Sequence, residues 1–393
     1  MSLRAEVPGG LRRLHQGSGR AQARRRGPLL LLPALRPGGD VTGRDVTGRS
    51  AAAAAGPLAQ LGSNENPLGP SPSVGAAVGR AVREANRYPR TTALGLRTMI
   101  ANTNAVSPDQ VFVTNGASDA LLAIGATHLE PGDRTVVARP TFYLHMLMTE
   151  RPGGELAFVP TKGLRQDIDG LLAAVDDRTR VLIVTNPHSP TGSVVDQSEL
   201  DRVVGDLDGR GGETLLVIDE AYREYADETV MPDGVEFVRA GHNVAVTRTF
   251  SKAYGLAGMR VGYAIVSEPV AARLRGFMPP FAVNSASVAA AEAAFADQEH
   301  LARVVELNRR ERDRLTRALS DLGMAPAPSQ TNFVIATGLD DAASIVSALA
   351  DQGILVRSTE ADFGLPGGLR ITTGTAEETT RVIEALRAMG ATA

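Results

Sequence analysis

The chain of 393 residues contains no cysteine. That absence excludes disulfides, thiolate catalysis and every cysteine-based zinc or iron–sulfur site. Long apolar runs are missing as well. The longest, Leu29–Leu35, is interrupted by Pro33 and falls far short of the roughly 20 apolar residues a membrane-spanning helix needs. There is no Walker loop and no serine in a Gly-x-Ser-x-Gly setting. Gly255, Gly258 and Gly262 are not spaced as a dinucleotide fingerprint. His128, His145, His242 and His300 share no metal-ligand spacing, so they are read as surface or internally satisfied side chains and no metal site is expected. Lysine is nearly absent: 39 of the 41 basic residues are arginine, leaving Lys162 and Lys252. Arginine stays protonated and is no amine nucleophile, so any imine chemistry falls on one of two positions.

What is present divides the chain unevenly. The first 50 residues hold ten arginines and three acids, a net charge of +7, and the remainder carries −10. This Gly-, Pro- and Arg-rich stretch lacks helical or strand periodicity. Residues 1–55 are read as a disordered extension. An export signal, a transit peptide, a nucleic-acid arm and a misassigned start codon are the competing readings.

From residue 56 helices and strands alternate. Gly75–Asn86, Leu94–Asn104, the stretch up to Leu129, Phe142–Glu150 and Asp196–Leu207 are predicted helices. Val111–Thr114, Arg134–Arg139, Val181–Thr185, Leu215–Ile218, Val244–Thr249 and Val261–Val266 are predicted strands. Uninterrupted apolar strands such as VLIVT and LLVI suit a parallel sheet covered on both faces. After Pro279-Pro280 the pattern changes to helices Ala286–Ala296 and Leu301–Leu322, strand Phe333–Ala336, helix Ala342–Gln352, strands Ile354–Arg357 and Leu369–Thr372, and helix Glu377–Met389. The expected fold is α/β: a mostly parallel central sheet with helices on both faces over 86–280, and a smaller α+β domain over 281–393, which the segment 56–85 joins.

Four stretches combine into one chemistry. Lys252 follows an apolar strand and is succeeded by Gly255, Gly258 and Arg260, where strand-end loops bind ligands. Ser251 and Arg260 offer donors to a phosphate. Asp219 ends another apolar strand, a costly place for an acid without a cationic partner, and Tyr222 lies three residues on. Asn115–Asp119 opens a helix, whose amides favour an anion. Asn186–Gly192 forms a rigid strand-end turn. A solvated lysine, an acidic cap and ordinary turns are the plain alternatives. Together, a lysine for an imine, an acid for a ring nitrogen, a hydroxyl and a phosphate grip are the equipment for pyridoxal phosphate as an electron sink.

The order of these motifs resembles the class I/II aminotransferases of fold type I, especially the histidinol-phosphate aminotransferase-like branch. The matching stretches are Ser63–Pro70, Arg87-Tyr88-Pro89, Asn115-Gly116, Pro140-Thr141-Phe142, Asn186–Gly192, Asp219–Tyr222, Arg248–Arg260 and Leu369–Thr372 with Gly374-Thr375. The resemblance implies Lys252 as Schiff-base lysine and proton carrier, Asp219 on the pyridinium nitrogen and Tyr222 on the ring oxygen. It places Ser251, Arg260, Ala117 and Ser118 on the phosphate, with Phe142 stacked on the ring. Tyr88 would reach the partner subunit's phosphate, which implies a homodimer with shared sites. Arg370, Arg357 and Asn66 fall to the substrate. Two positions depart from the pattern: Ser189 replaces the usual asparagine beside the ring oxygen, and Leu68 stands where many histidinol-phosphate enzymes carry an aromatic residue. The implied reaction moves an amino group from histidinol phosphate or an amino acid to a 2-oxo acid such as 2-oxoglutarate. An aromatic amino-acid aminotransferase, a decarboxylase or lyase on the same scaffold, and a cofactor-binding regulator are the alternatives. A cytoplasmic enzyme without membrane or nucleic-acid partners is expected. Borohydride reduction with bound cofactor should therefore label Lys252 and leave Lys162 unmodified, as read by peptide mass spectrometry; label on Lys162 would refute the assignment.

Overall fold

The computed structural model describes residues 58–89 and 93–390; the extension expected over 1–55 lies outside them. In chain order the elements are β1 (Ala59–Gln60), α1 (Ser73–Val82), α2 (Leu94–Asn104), β2 (Val111–Thr114), α3 (Ala117–His128), β3 (Arg134–Arg139), α4 (Tyr143–Glu150), β4 (Glu155–Pro160), α5 (Ile168–Ala174), β5 (Thr179–Thr185), α6 (Gln197–Gly209), β6 (Leu215–Asp219), α7 (Val235–Arg239), β7 (Val244–Thr249), β8 (Gly262–Val266), α8 (Glu268–Phe277), α9 (Ser285–Ala296), α10 (Gln298–Asp321), β9 (Ala325–Pro326), β10 (Phe333–Thr337), α11 (Ala342–Asp351), β11 (Ile354–Leu355), β12 (Arg357–Ser358), α12 (Thr359–Phe363), β13 (Leu369–Thr372) and α13 (Ala376–Ala388).

Seven strands form the central sheet in the order β2-β8-β7-β6-β5-β3-β4. All neighbours are parallel except β8, which runs antiparallel to both β2 and β7. Alternate side chains of the apolar strands enter different cores, as the two-residue period of a strand requires. Leu182 and Val184 join one cluster, with Leu216, Ile218 and Val246. Val181 and Ile183 join the other, with Leu215, Val217 and Ala245. Burial on both faces is why these strands are unbroken apolar runs. A second sheet, β12-β13-β10-β9, has its own core with Leu315, Leu319, Val382 and Leu386 of the helices that cover it.

The two sheets do not divide the chain at residue 281. Helix α9 packs Ala290, Ala291 and Ala294 into a core of the large sheet, so residues 285–296 belong with that sheet. Segment 56–85 is likewise split. Strand β1 pairs in parallel with β11 beside the small sheet, while Val74 of α1 enters the large core. Helix α10 carries the expected amphipathic stripe. Its polar break is buried rather than exposed, with Asn308 Nδ2 and Arg312 Nη1 donating to the carbonyl of Thr331 at 3.1 and 3.0 Å. Strands β1, β4 and β9 and helices α5, α7, α8 and α12 are absent from the sequence prediction.

Helices α3 and α4 approach closely at Gly125, where a Cβ would overlap the Met148 carbonyl oxygen. Gly125→Ala should therefore force the helices apart and destabilise the fold by about 1–3 kcal/mol. A denaturant midpoint indistinguishable from wild type would show that the contact yields freely.

Candidate active site

The strand ends of β5, β6 and β7 and the start of α3 converge at one edge of the large sheet. Asp219, the last residue of β6, is buried. Isolated charge there would be costly, and two partners meet it. Its Oδ2 lies 3.1 Å from His145 Nε2, and its Oδ1 accepts from Thr247 Oγ1 at 3.0 Å. His145 Nδ1 is 2.7 Å from Thr141 Oγ1. The network assigns the ring proton facing Asp219 to Nε2, with Nδ1 accepting from the threonine. His145 is thus the internally satisfied residue its reading allowed, but the acid that satisfies it is the site's own. A signal existed: His145 falls three residues after Phe142, on the same helical face. Phe142 is half-buried at the head of α4, its ring 5.9 Å from that of His145.

His188, in the turn after β5, is fully buried. Its Nδ1 lies 2.7 Å from Thr191 Oγ1, and its Nε2 has no partner. Burial lowers its pKa to about 3, so this ring is neutral.

The loop after β7 places Lys252 with Nζ 5.6 Å from the centre of the Tyr222 ring and donating to the Ser63 carbonyl at 3.3 Å. The Tyr222 hydroxyl accepts from Asn64 Nδ2 at 2.9 Å and its ring meets Phe333 edge-on. Burial opposes ionisation of this phenol. The charges of Lys252 and Arg370 and hydrogen bonds involving Asn64 and Ser189 outweigh it, and the pKa falls below the ordinary tyrosine value.

At the start of α3 a guanidinium and the first helix amides come together. Gly116 takes φ +81°, and a Cβ on it would stand 2.7 Å from Arg260 Nη2, so the guanidinium occupies the space that glycine leaves. Ala117 and Ser118 open the twelve-residue helix and present its first amides. Ser251 lies nearby in sequence to Arg260, its hydroxyl accepting from Thr249 Oγ1 at 3.0 Å. This cradle, the amine of Lys252 and the buried acid fit pyridoxal phosphate: a grip for the phosphate, an amine for the aldehyde and a carboxylate for the ring nitrogen.

On the small sheet, Arg357 of β12 and Arg370 of β13 are paired residues and so share a face. Arg370 is buried between the rings of Phe333 and Phe363, 5.4 and 5.1 Å from their centres. Its Nη2 donates to the Gly62 carbonyl at 2.7 Å, and its Nε has no partner. Arg370 is therefore not a solvent-exposed sheet residue. Burial pulls its pKa down, opposed by Tyr222 and assisted by neighbouring Arg357. Arg357 Nε also donates to Gly62, at 3.3 Å.

Two further expected residues, Asn66 and Tyr88, make contacts of their own. Asn66 uses both amide hydrogens on the carbonyls of Gly69 and Ala253 and accepts from the Leu68 amide, so its side chain pins a loop and has no donor left for a substrate. Two residues earlier, Asn64 makes the contact with Tyr222 that Asn66 was not positioned to make. Tyr88 is 81% exposed and stacks on Phe281 with ring centres 5.2 Å apart.

Residues 57–386 match the family model "Aminotransferase class I and II". The chain is 40% identical over 329 residues to histidinol-phosphate aminotransferase 2 of Pseudomonas fluorescens, covering 84% of this chain and 88% of that protein. It is 39% identical to histidinol-phosphate aminotransferase of Akkermansia muciniphila, over 84% and 89% of the two chains. The crystal structure of histidinol-phosphate aminotransferase from Sinorhizobium meliloti in complex with pyridoxal 5′-phosphate superposes with a TM-score of 0.76 at 33% identity, covering 84% of this chain and 90% of that one. L-threonine-O-3-phosphate decarboxylase from Porphyromonas gingivalis shares the fold, with a TM-score of 0.73 at 24% identity over 84% and 98% of the chains. The family match spans nearly all the described residues and includes every strand of both sheets, and by it the chain belongs to the class I and II aminotransferases, pyridoxal-phosphate-dependent enzymes of fold type I.

Proposed function

We propose that this aminotransferase takes histidinol phosphate as amino donor and a 2-oxo acid such as 2-oxoglutarate as acceptor. The observation that carries the reading is the buried Arg370, its Nε unpartnered, beside Arg357 on one face of the small sheet. A guanidinium held in apolar surroundings with donors to spare calls for an anion, and its planar fork suits phosphate and carboxylate alike. One arginine then serves the phosphate of the donor and a carboxylate of glutamate or 2-oxoglutarate. The similarity to histidinol-phosphate aminotransferases supports the same substrate.

The chain's own residues divide the work. Gly116, Ala117, Ser118, Ser251 and Arg260 hold the cofactor's phosphate, and Phe142 covers its ring. Asp219, fixed by His145 and Thr247, faces the ring nitrogen and favours its protonated form. Tyr222 and Ser189 face the ring oxygen. When bound, pyridoxal phosphate supplies an electron-withdrawing ring that accepts the charge left as the α-hydrogen departs. Lys252 Nζ anchors the cofactor and, once displaced by the substrate amine, carries that proton. A second copy completes the site. Tyr88 and Phe281 form an exposed aromatic pair beside a cavity of about 310 Å³ lined by Ala93, Met278 and Pro280 together with Arg97, Asp109 and Arg275. Exposed aromatics of this kind suit an interface, from which Tyr88 would reach the partner's phosphate.

Incubation with histidinol phosphate and 2-oxoglutarate should yield glutamate, measured directly. Carbon dioxide release without amino transfer would replace this reading with a decarboxylase, and a strong preference for aromatic amino acids would replace the donor. Arg370→Ala should lose about 1.5–3 kcal/mol of charge-assisted binding, roughly ten- to hundredfold in kcat/KM for both half-reactions, with the bound cofactor's spectrum unchanged. Unaltered kinetics with glutamate would remove Arg370 from the site. Asp219→Asn should retain cofactor weakly and lose most turnover; near-normal turnover would contradict its role.

A further inference from the structure

We infer that Asn64 is a positioning residue that sets the hydrogen-bonding state of the Tyr222 hydroxyl, and thereby the pH at which the lysine–cofactor linkage loses its proton. The inference rests on the reading of Lys252 as the cofactor's anchor and goes beyond it.

Backbone conformation comes first. Asn64 takes φ +55°, in the left-handed region that glycine adopts freely and that asparagine tolerates better than most residues. A side chain at such a place needs a use. Asn64 is buried, and every one of its polar groups is engaged. Its backbone amide donates to Thr372 Oγ1 at 3.0 Å, and its carbonyl accepts from Asn332 Nδ2 at 3.0 Å. Its Oδ1 accepts from Thr372 Oγ1 at 3.1 Å, and its Nδ2 donates to Tyr222 Oη at 2.9 Å.

This arrangement fixes which way the amide points. Thr372 Oγ1 already accepts from the Asn64 amide, so its single proton is free for Oδ1. The NH₂ group is thereby turned to Tyr222. The phenol oxygen accepts from Asn64, and its own proton is available to the other side, where Ser189 and Lys252 lie. Ser189 stands where the family places an asparagine. Serine brings no amide donor, and the amide at this hydroxyl comes from Asn64.

The groups around the hydroxyl belong to several elements. Lys252 lies in the loop after β7, Arg370 on β13 and Tyr225 in the turn that follows Tyr222, while Ser189 and Asn64 are uncharged and Phe333 is apolar. A donor on the phenol oxygen makes Tyr222 a stronger hydrogen-bond donor toward the ring oxygen. That bond favours the unprotonated form of the linkage. Losing the donor lets the linkage hold its proton to higher pH.

The experiment is a pH titration of the holoenzyme's visible absorbance, with melting temperature measured alongside. Asn64→Gly keeps the backbone conformation and removes the amide. Its midpoint should rise by about half a pH unit to one, the worth of one hydrogen bond, while the loss of its two buried side-chain hydrogen bonds lowers the melting temperature. Asn64→Asp keeps the shape but presents an acceptor and a negative charge, and its midpoint should rise further. A lowered melting temperature with an unmoved midpoint in both variants would make Asn64 purely structural and overturn the inference. A wild-type holoenzyme with no titrating band would remove the anchoring role of Lys252, and this inference with it.

Discussion

A carboxylate at the end of a strand buried on both faces has to be met by partners from other elements. Asp219 is that carboxylate, and its two oxygens are taken by His145 from α4 and Thr247 from β7. Removing an ionised group from water costs several kcal/mol unless it is paired or hydrogen-bonded, so the acid makes these placements energetically consequential. It also explains the otherwise odd interior of α4, where an imidazole with no exposure sits among Leu144 and Met148. The neighbouring Glu220 repeats the arrangement on the adjacent position. It is buried against Arg248 at 2.7 Å, and Arg248 in turn meets Asp233 at 2.7 Å. Consecutive acids on one strand end therefore face opposite ways, one toward the site and one into a structural ion pair.

The second organising feature is an irregular strap between the sheets. Gly62 accepts from Arg370 and Arg357, Ser63 accepts from Lys252, and Asn64 donates to Tyr222. Three consecutive residues thus touch both paired arginines of the small sheet, Lys252 and Tyr222. Strand β13 holds the strap from behind, through the Thr372 amide on Leu61 and the Thr372 hydroxyl on Asn64. Backbone carbonyls are suited to this position. They satisfy buried cations while no ligand is bound and can be replaced by the stronger acceptor that a phosphate or carboxylate provides.

Much of the fold was legible because burial on both faces leaves a plain mark: VLIVT and LLVI can hardly be anything but central strands. The elements that escaped are those without such a mark. Strand β4 lies at the sheet edge, where Glu155 and Pro160 are exposed and the apolar run is short. Helix α8 begins Glu268-Pro269, and a proline there signals a helix start only once the helix is known. The domain boundary drawn at Pro279-Pro280 marked a change of local pattern, whereas α9 is assigned by what its alanines pack against. Within the site, strand ends and glycines led to Lys252, Asp219 and Arg260. Asn64 and His145 escaped because their roles depend on partners 158 and 74 positions away along the chain. Asn66 was chosen from the same motif as Asn64, and spacing alone does not say which asparagine turns inward.

The scarcity of lysine acquires a physical sense once both lysines are placed. Lys162 is 73% exposed at its side chain and pairs with Asp167 at 2.8 Å. That hydrogen bond raises its pKa above the ordinary lysine value, so its amine is kept protonated and is a poorer nucleophile. Lys252 is half-buried, with the neutral Ser63 carbonyl as its hydrogen-bond partner and the Tyr222 ring alongside. Among the described residues it forms no ion pair with a carboxylate. Every other cation in and around the site is arginine: Arg260 in the cradle, Arg357 and Arg370 on the small sheet, Arg248 in the ion pair. Guanidinium groups hold anions without competing for an aldehyde, since they do not give up their charge. On the proposed reading of Lys252, surrounding the site with arginines leaves one amine free to react, and cations placed there to hold anions would not divert the cofactor.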